Sequence, residues 1–466
     1  MARDAGGLRI AVTAKQLYHD SLYDFATAQP SYWEETAGDR DLRARPLVSE
    51  ESCDVAVIGG GFTGLSAALH LARDFGIDVR VLEAGHIGWG ASGRNGGFCC
   101  IGGTKLGVRT QLRRFGAEET RRYYQSQVDA VELVRDLGRE EGIDFQACGD
   151  GEMFIAQSPR GFREIEAEGE LYRRSLGLDA RLLSREAFLE QGYDSPEQFG
   201  ALKIRPTFGL HPMRYVLGLA SAAERRGAVL HERTRVREWR RDGGHHVLEV
   251  EGGRLRAKRL IIACNGFMPE HLHRTLVGRP LPLQSNIVVT RPMTIAELEA
   301  HRWRNTCPSG EARDLYVYFR MLPDRRLLLG GRGDASGDPQ SAERIYEQLG
   351  ERIAGIWPEW RGVEITHRWR GLICFTFGLR PSIGKFPDDP SVMFGFGYHG
   401  NGVNTATWTG RELAYWLAGG NAGSETDPMH LPALVRGLRP RFPVASLRRT
   451  YARLGTMYFK LKDMLR

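Results

Sequence analysis

The chain has no run of about 18 uninterrupted apolar residues, so no segment is a candidate transmembrane helix. Its first 50 residues carry no apolar core behind a basic start, and no signal peptide is expected. Cysteine is sparse: seven residues, an odd number, with no C-x-x-C pair. A disulfide framework is therefore not expected, and reduced thiols in a cytoplasmic setting are. The adjacent Cys99-Cys100 read as buried small residues, because neighbouring cysteines seldom close a relaxed disulfide. Neither His245-His246 nor the His271/His273 pair has a carboxylate or cysteine at ligand spacing, so both read as surface histidines and no metal is expected. The net charge of +7 is local. Residues 431–466 hold nine Arg/Lys against Asp463, a net +8, and the other 430 residues sum to −1. No nucleic-acid motif accompanies this basic tail, and no nucleic-acid partner is expected.

The chain is organised by Asp54 to Glu83. Val55 to Ile58 read as a buried strand, and Gly59, Gly61 and Gly64 follow in G-x-G-x-x-G spacing. A helix then begins through Phe62 and Thr63, with Leu65, Ala68, Leu69 and Ala72 on one face. A second strand, Val79 to Leu82, ends at Glu83 and Ala84. Each glycine has a physical task. Gly59 allows the tight turn, Gly61 admits a pyrophosphate close to the backbone, and Gly64 lets helix and strand pack. The helix N-terminus offers unpaired N–H groups to the phosphates. Glu83 accepts hydrogen bonds from a ribose diol and repels a 2′-phosphate, which points to FAD or NAD and away from NADP.

A second glycine-rich stretch, Gly85 to Gly103, contains Ala91-Ser92-Gly93-Arg94-Asn95-Gly96-Gly97. With so little side chain it can pass between large planar or charged groups and form an anion-binding concavity, as a flavoprotein needs and a plain NAD dehydrogenase does not. Periodicity predicts helices over 116–141, 159–176, 184–191 and 210–227, the last with Pro212 in its first turn. Strand-like stretches are Gln146 to Gln157, Val229 to Glu232, Arg235 to Trp239, Val247 to Val250 and Leu260 to Ala263, the last closed by Cys264, Asn265 and Gly266. In 281–365, strands Asn286 to Thr290, Leu315 to Phe319 and Arg326 to Gly330 precede a helix over 341–356. Val392 to Leu417 repeats the opening logic: a strand, then the loop Gly397-Tyr398-His399-Gly400-Asn401-Gly402-Val403, then a helix whose N-terminus can stabilise negative charge on a reduced flavin edge. A second dinucleotide site fails at Gly330 to Asp334, because Ser336 stands where the third glycine belongs and no apolar helix follows. Electrons are thus expected from a substrate, with NAD(P)H excluded as donor.

These residues together resemble the D-amino-acid-oxidase-like (DAO) flavoproteins, closest to their gamma-glutamylputrescine oxidoreductase branch. The matching pieces are Cys53 to Glu83, Gly88 to Gly97, Leu210-His211-Pro212, Tyr316 to Gly331, the Gly397 to Val403 loop and the tail from Met457 to Asp463. The resemblance implies an α/β fold of the glutathione-reductase-like/DAO type: a Rossmann-like FAD-binding domain with a mixed-sheet (α+β) substrate domain roofing the flavin. The expected division is an arm over 1–50, FAD-binding segments 51–115, 206–280 and 366–430, substrate segments 116–205 and 281–365, and the tail 431–466. The resemblance also implies oxidation of a C–N bond in an amine or amino-acid derivative, and it places Val236, on its strand, near the adenine. Related sequences often read Thr-Pro-Asp before their Pro-x-Ile-Gly segment. Here Thr376-Phe377-Gly378 precedes Pro381-Ser382-Ile383-Gly384, so that carboxylate is missing. Cys374 lies about three residues from the position through which sarcosine oxidases attach flavin, and non-covalent FAD is the expectation.

Flavin-dependent amine oxidation needs the substrate carbon held close and the amine neutral, with no obligatory dedicated base. The cofactor site is therefore better marked than the catalytic one. His399 is a candidate contact to flavin or substrate, set against a loop histidine with backbone work alone. Arg320 is a candidate bidentate partner for a substrate carboxylate, set against a structural ion pair; Arg380 is a weaker one. The arm, with Tyr23, Tyr32 and Trp33, reads either as a contribution to the site or as packing. Trp357, Trp360 and Trp369 read as core. In the tail, Leu447, Tyr451, Leu454, Tyr458, Leu461 and Leu465 form a stripe among Arg448, Arg449, Arg453, Lys460, Lys462 and Arg466. The expectation is that this apolar face caps the FAD domain; peripheral contact with an anionic membrane is the alternative. The partners read from the sequence are a small amine substrate and, as electron acceptor, O2, a quinone or another carrier. A 2-hydroxy-acid dehydrogenase on the same fold and a flavin-binding interaction protein without turnover are the competing functions.

Overall fold

The computed structural model describes residues 16–313, 317–419 and 430–464. Strand β1 (Glu50–Ile58) leads through the glycine turn into helix α1 (Phe62–Phe75), whose Leu65, Ala68, Leu69 and Ala72 are all buried. Gly76, at φ 61°, closes that helix in the left-handed conformation that favours glycine. Strand β2 (Val79–Leu82) follows. Helix α2 (Val108–Glu140) begins well before the expected 116 and breaks from helical geometry at Gly116, φ 80° and ψ 168°. Strand β3 (Glu152–Ile155) and helix α3 (Pro159–Leu176) come next; Ser158 caps α3 by accepting from Gly161 N. Then follow β4 (Gly253–Ile262), β5 (Pro280–Pro292), β6 (Tyr318–Met321), β7 (Ile365–Thr376), β8 (Val392–Phe396), α4 (Val403–Ala418) and α5 (Arg448–Met464).

These elements build two eight-stranded sheets. In the first, β8, β4, β1, β2 and Val229–His231 pair in parallel, in that order. The strand Ser382–Lys385 lies antiparallel outside β8, and the hairpin Glu238–Asp242/His245–Val250 folds onto the start of β4. The core residues of β1 and β2 are fully buried, as strands covered on both faces must be. In the second sheet the order is β7, β5, Arg326–Arg332, β6, Ser309–Glu311, β3, Ala201–Arg205 and Asp179–Leu183. Its pairs are antiparallel except Ser309–Glu311 with β3. This is the expected Rossmann-like unit with a mixed sheet beside it.

Several expectations move. The strand expected over Gln146 to Gln157 shrinks to β3, because Gly149 and Gly151 have positive φ and Cys148 bridges Gly209 instead. The strand expected from Arg235 starts only at Glu238, which leaves Val236 in the preceding loop. The strand expected from Leu315 starts at Tyr318, and Leu315 and Tyr316 lie outside the described residues. Residues 366–376, assigned to the FAD-binding segments, form β7 and pair along β5 in the second sheet. His246 is fully buried, where a surface residue was expected; Trp239 Nε1 donates to its Nδ1 at 3.1 Å. Trp357, Trp360 and Trp369 are buried core residues as expected.

The tail helix docks against the second sheet and Glu270 with most of the stripe turned outward; of the stripe, Tyr451 packs there, its ring 5.9 Å from that of Phe442. Arg448 pairs with Glu270 at 2.8 Å, and Ala452 packs with Phe442 against Leu281 and Leu283 of β5. The small Ala452 allows the close approach. Leu447, Leu454, Met457, Tyr458 and Leu461 are left exposed, and Leu465 lies outside the described residues.

Three buried histidines must stay neutral because a ring nitrogen of each accepts an N–H. His211 Nδ1 takes Arg214 N, His246 Nδ1 takes Trp239 Nε1, and His399 Nε2 takes Thr376 N. Burial, reinforced by Arg214, Arg241 and Lys105 respectively, lowers them to about 3, about 4 and about 3. Below pH 6.5 the unfolded chain binds the protons that the fold refuses. Stability is therefore complete above 6.5 and falls as pH drops towards 4, by on the order of 1–2 kcal/mol per histidine at pH 5. Thermal unfolding should show a lower midpoint at pH 5 than at pH 7, and His246→Gln should shrink that difference. Equal midpoints at the two pH values would contradict the argument.

Candidate functional site

The turn after β1 is tight enough to exclude any side chain. A β-carbon on Gly59, at φ 111°, would lie 2.8 Å from Ala263 O, and one on Gly64 would lie 1.9 Å from Gly59 O. Gly64 thus serves packing and does not line the cavity. A β-carbon on Gly61 would fall 2.7 Å from Ser92 Oγ, which accepts from Phe62 N at 3.0 Å and ties the second glycine loop to the first. Glu83 lies under the turn, where Gly60 N and Gly85 N donate to its two oxygens at 2.7 and 2.9 Å. Burial raises its carboxyl while those N–H groups hold it down. Each oxygen retains acceptor capacity for a ribose hydroxyl.

The 91–97 loop is held from beneath. Asn95 donates to Ala91 O and Ser92 O and accepts from Gly97 N, while Trp33 and Trp369 donate to the carbonyls of Asn95 and Arg94. Arg94 is buried with its guanidinium 4.0 Å from the Trp89 ring centroid, and burial lowers it to about 9. Gly97, at φ 75°, lies against Leu210 O and, like Gly64, does not line the cavity.

The third loop closes the other side. Asn265 Oδ1 accepts from Gly397 N at 2.9 Å, and Asn401 Nδ2 donates to Cys100 O at 2.7 Å. Helix α4 starts at Val403 behind Gly402, and α1 starts behind Gly61; neither glycine can cap with a side chain, and on α1 Ser92 takes only the Phe62 N–H, whereas Ser158, Ser184, Thr294 and Asp338 cap their own helices. Open N–H groups at both helix starts thus face one space. A β-carbon on Gly410 would meet Thr63 O at 2.3 Å, so close packing of α4 on α1 sets the distance between the two starts.

All three loops line one cavity of about 950 Å³. Of the expected cofactor residues, Gly59, Gly61, Phe62, Thr63, Glu83, Ala84, Ala91, Ser92, Arg94, Asn95, Gly96, Val236, Asn265, Gly266, His399, Gly400, Asn401, Gly402 and Val403 border it. Val236 does so from a loop. The arm contributes as well as packs: Leu17, Tyr23 and Phe25 line the cavity while Trp33 is 1% exposed.

Arg320 has a different task from the substrate contact expected of it. It is buried outside the cavity lining and donates to Leu210 O at 2.9 Å and Gly97 O at 3.2 Å. His399 does border the cavity, neutral, with Nδ1 buried and without a partner. The sequence reading passed over the roof. On β3, Met153 and Ile155 enter the core, and the alternate residues Glu152 and Phe154 face the cavity. Tyr318 lines it from β6, with its ring 5.4 Å edge-on to Phe98. Glu152 accepts from the Cys100 thiol, and burial pushes its carboxyl up to about 7. The available signal was the alternation Glu-Met-Phe-Ile, which sets a carboxyl on the cavity face of a buried strand.

The cavity fits FAD. Arg94 Nη2 and His399 Nδ1 are buried cavity atoms without hydrogen-bond partners, and a ligand that meets them would complete their bonding. Glu83, the uncapped N-termini and the side-chain-free turns suit a ribose and a pyrophosphate. Burial pushes the Cys374 thiol up to about 12, which makes it a poor nucleophile towards a flavin. Among the described residues no group of His, Cys, Asp and Glu could hold a metal.

The family model described as DAO, FAD-dependent oxidoreductase, matches residues 54–416. Gamma-glutamylputrescine oxidoreductase of Escherichia coli (strain K12) is 29% identical over 417 residues, covering 89% of this chain and 93% of that protein. A probable oxidoreductase OrdL of Rhizobium meliloti (strain 1021) is 31% identical over 420 residues, 88% of this chain and 94% of that one. Among solved structures, glycine oxidase from Geobacillus kaustophilus superposes with a TM-score of 0.68 at 22% identity, covering 84% of this chain and 99% of that one.

Gly61→Val would drive a side chain into Ser92 and across the path of the dinucleotide. The variant should purify folded but colourless, whereas the native protein should show flavin bands near ~370 and ~450 nm. A variant that keeps the native flavin content would contradict this reading of the cradle.

Proposed function

We propose, for a chain that belongs to the DAO family of FAD-dependent oxidoreductases, that it oxidises the C–N bond of an amine or amino-acid derivative to an imine, which water hydrolyses to a carbonyl compound. It is an enzyme, and its cofactor is FAD. Bound FAD supplies the two-electron acceptor for a hydride equivalent from the carbon beside nitrogen. The relatives named gamma-glutamylputrescine oxidoreductase and glycine oxidase carry amine compounds in their names.

The observation that carries the reading is the roof of the cavity. Phe154, Ile165 and Leu202 give it apolar walls, and Glu152 places a buried carboxyl there. A hydroxy acid has no ammonium to set against Glu152, and Arg320, the cation expected to receive a substrate carboxylate, is committed to backbone carbonyls. Both features favour a cationic amine. Tyr318, bonded through its hydroxyl to Ser285 Oγ at 2.9 Å, is a further part of the cavity wall. His399 remains neutral across the working pH range and adds no charge to repel an ammonium.

Anaerobic mixing with a panel of amines and 2-hydroxy acids tests this. Amines should bleach the flavin and hydroxy acids should not. Bleaching by hydroxy acids alone would install the competing dehydrogenase, and no bleaching by either would leave a flavin-binding protein without turnover.

A second feature bears on the acceptor, which is O2 or a carrier. Helix α5 exposes Leu454, Met457, Tyr458 and Leu461 beside the exposed Arg453, a composition that suits an anionic lipid surface and hence a membrane quinone. Among the described residues no helix is long and apolar enough to cross a membrane. Salt-sensitive co-sedimentation with anionic liposomes, reduced by Leu454→Ser with Leu461→Ser, is the result expected of a quinone-linked enzyme. No sedimentation at low salt would leave O2 or a soluble carrier as the acceptor.

A further inference from the structure

We propose that Glu152 receives the ammonium group of the substrate and takes its proton, so that the amine is neutral when its neighbouring C–H bond breaks. This inference rests on the amine reading of the same cavity and assigns a group to the step that this reading leaves open.

The placement follows from the strand. Glu152 pairs with Ile204 on one side of β3, and the period of two turns its side chain, with that of Phe154, away from the core and into the cavity. It is linked to the third cofactor loop through one residue: the Cys100 thiol donates to Glu152, and the Cys100 carbonyl accepts from Asn401 Nδ2 at 2.7 Å. The carboxyl therefore stands beside the segment that carries His399 to Gly402. Its neighbours leave a place for a cation. The 99–107 segment presents the two thiols Cys99 and Cys100, and Lys105, which lines the same cavity and whose charge partly offsets the effect of burial on Glu152. Helix α3 presents Tyr172, whose hydroxyl donates to Glu168. From Ser309–Glu311, Glu311 is held by Arg352. Helix α2 presents Tyr124, whose hydroxyl receives Gln111 Nε2. Glu164 lies farther along the same lining, in an ion pair with Arg160.

Burial makes the Glu152 carboxylate costly beyond what Lys105 offsets, and an incoming ammonium lowers that cost further. Phe154, Ile165 and Leu202 around it accommodate an alkyl stem, so the ligand class is a primary or secondary amine on an aliphatic chain. The proton transfer balances without an oxidant: an N–H bond of R–CH2–NH3⁺ breaks, an O–H bond forms on Glu152, and the nitrogen lone pair is released. That pair forms the C=N bond as the C–H pair leaves for FAD. The carboxyl then returns its proton to water. A carboxyl that burial has pushed up to about 7 is suited to this work near neutral pH, ionised above 7 to accept and protonated below.

The test uses the FAD-loaded enzyme, with Glu152→Gln, Glu152→Asp and two probes. The first probe is the amine from the panel that bleaches the native flavin fastest. The second is tert-butylamine, which has no α-hydrogen and reports binding by its shift of the flavin spectrum. In the native enzyme the anaerobic reduction rate should rise with pH through about 7. Glu152→Gln, with FAD content and spectrum preserved, should reduce at least ~100-fold more slowly, lose that limb and bind tert-butylamine at least ~10-fold more weakly. Glu152→Asp should recover part of each. A Glu152→Gln enzyme that keeps the limb and the native affinity would overturn the proposal while the amine reading stands. A uniform drop in rate with the limb intact would also overturn it, by making Glu152 a wall residue. A native enzyme that no amine bleaches would remove the amine reading, and this proposal with it.

Discussion

The structure depends on one close approach of backbone to backbone. Gly64, in the first turn of α1, lies so near the Gly59 carbonyl that no β-carbon fits between them, and Gly59 in turn lies against Ala263 just past β4, where a β-carbon would be 2.8 Å from its carbonyl oxygen. These contacts bring two parallel strands and a helix start to one point. The helix can then turn its open N–H groups to the cavity without a side chain in the way. Packing of Gly410 on Thr63 fixes α4 against α1 in the same manner and brings the second open helix start alongside. The cofactor site is thus where three close-packing requirements coincide, and glycine is what each requires.

The second sheet must be held over this floor, and Arg320 does much of that. Its guanidinium, buried beside the Trp33 ring at 5.3 Å, binds the carbonyl of Gly97 on the cofactor loop and that of Leu210 at the entry to Pro212–Arg225. A buried charge left unbonded would be expensive, so the two carbonyls and the cation constrain one another. The arm adds a further restraint, with the Trp33 indole donating to Asn95 O. Roof, loop and arm meet at one cluster, which explains why a residue suited to binding a carboxylate is withdrawn from the cavity.

The tail helix shows how tertiary packing can override periodicity. Its leucine and tyrosine stripe has the spacing of a buried face, yet Ala452 and the Arg448–Glu270 pair decide which side meets the sheet. Bulk at Leu454 and Tyr458 would hold the helix off; the small face lets it down onto Leu281 and Leu283. Apart from Tyr451, which packs on Phe442, the described stripe residues are left on the surface.

Several elements were legible in the sequence because their determinants are local. The strand Val79–Leu82, the helix Pro159–Leu176 and the glycine turns at Gly59 and Gly402 each follow from apolar period, capping residue or the need for no side chain. The late loop was legible for the same reason, as a strand entering a glycine turn before a helix. What remained hidden depends on partners far along the chain. Val236 lies in a loop because the ladder with His245–Val250 engages only from Glu238. Residues 366–376 fall among the expected FAD-binding segments, and only the long pairing with β5 puts them in the second sheet. Arg320 and Glu152 exchange the roles that residue type alone suggests. The arginine finds two carbonyls more than 100 positions away in sequence, and the glutamate is turned into the cavity by its strand, with the Cys100 thiol donating to it. Local pattern by itself determined the cradle for the cofactor, since that cradle is backbone shaped by glycine. Only the tertiary structure decided which side chains face the substrate, because that choice rests on which strand each residue pairs with and which buried charge already has a partner.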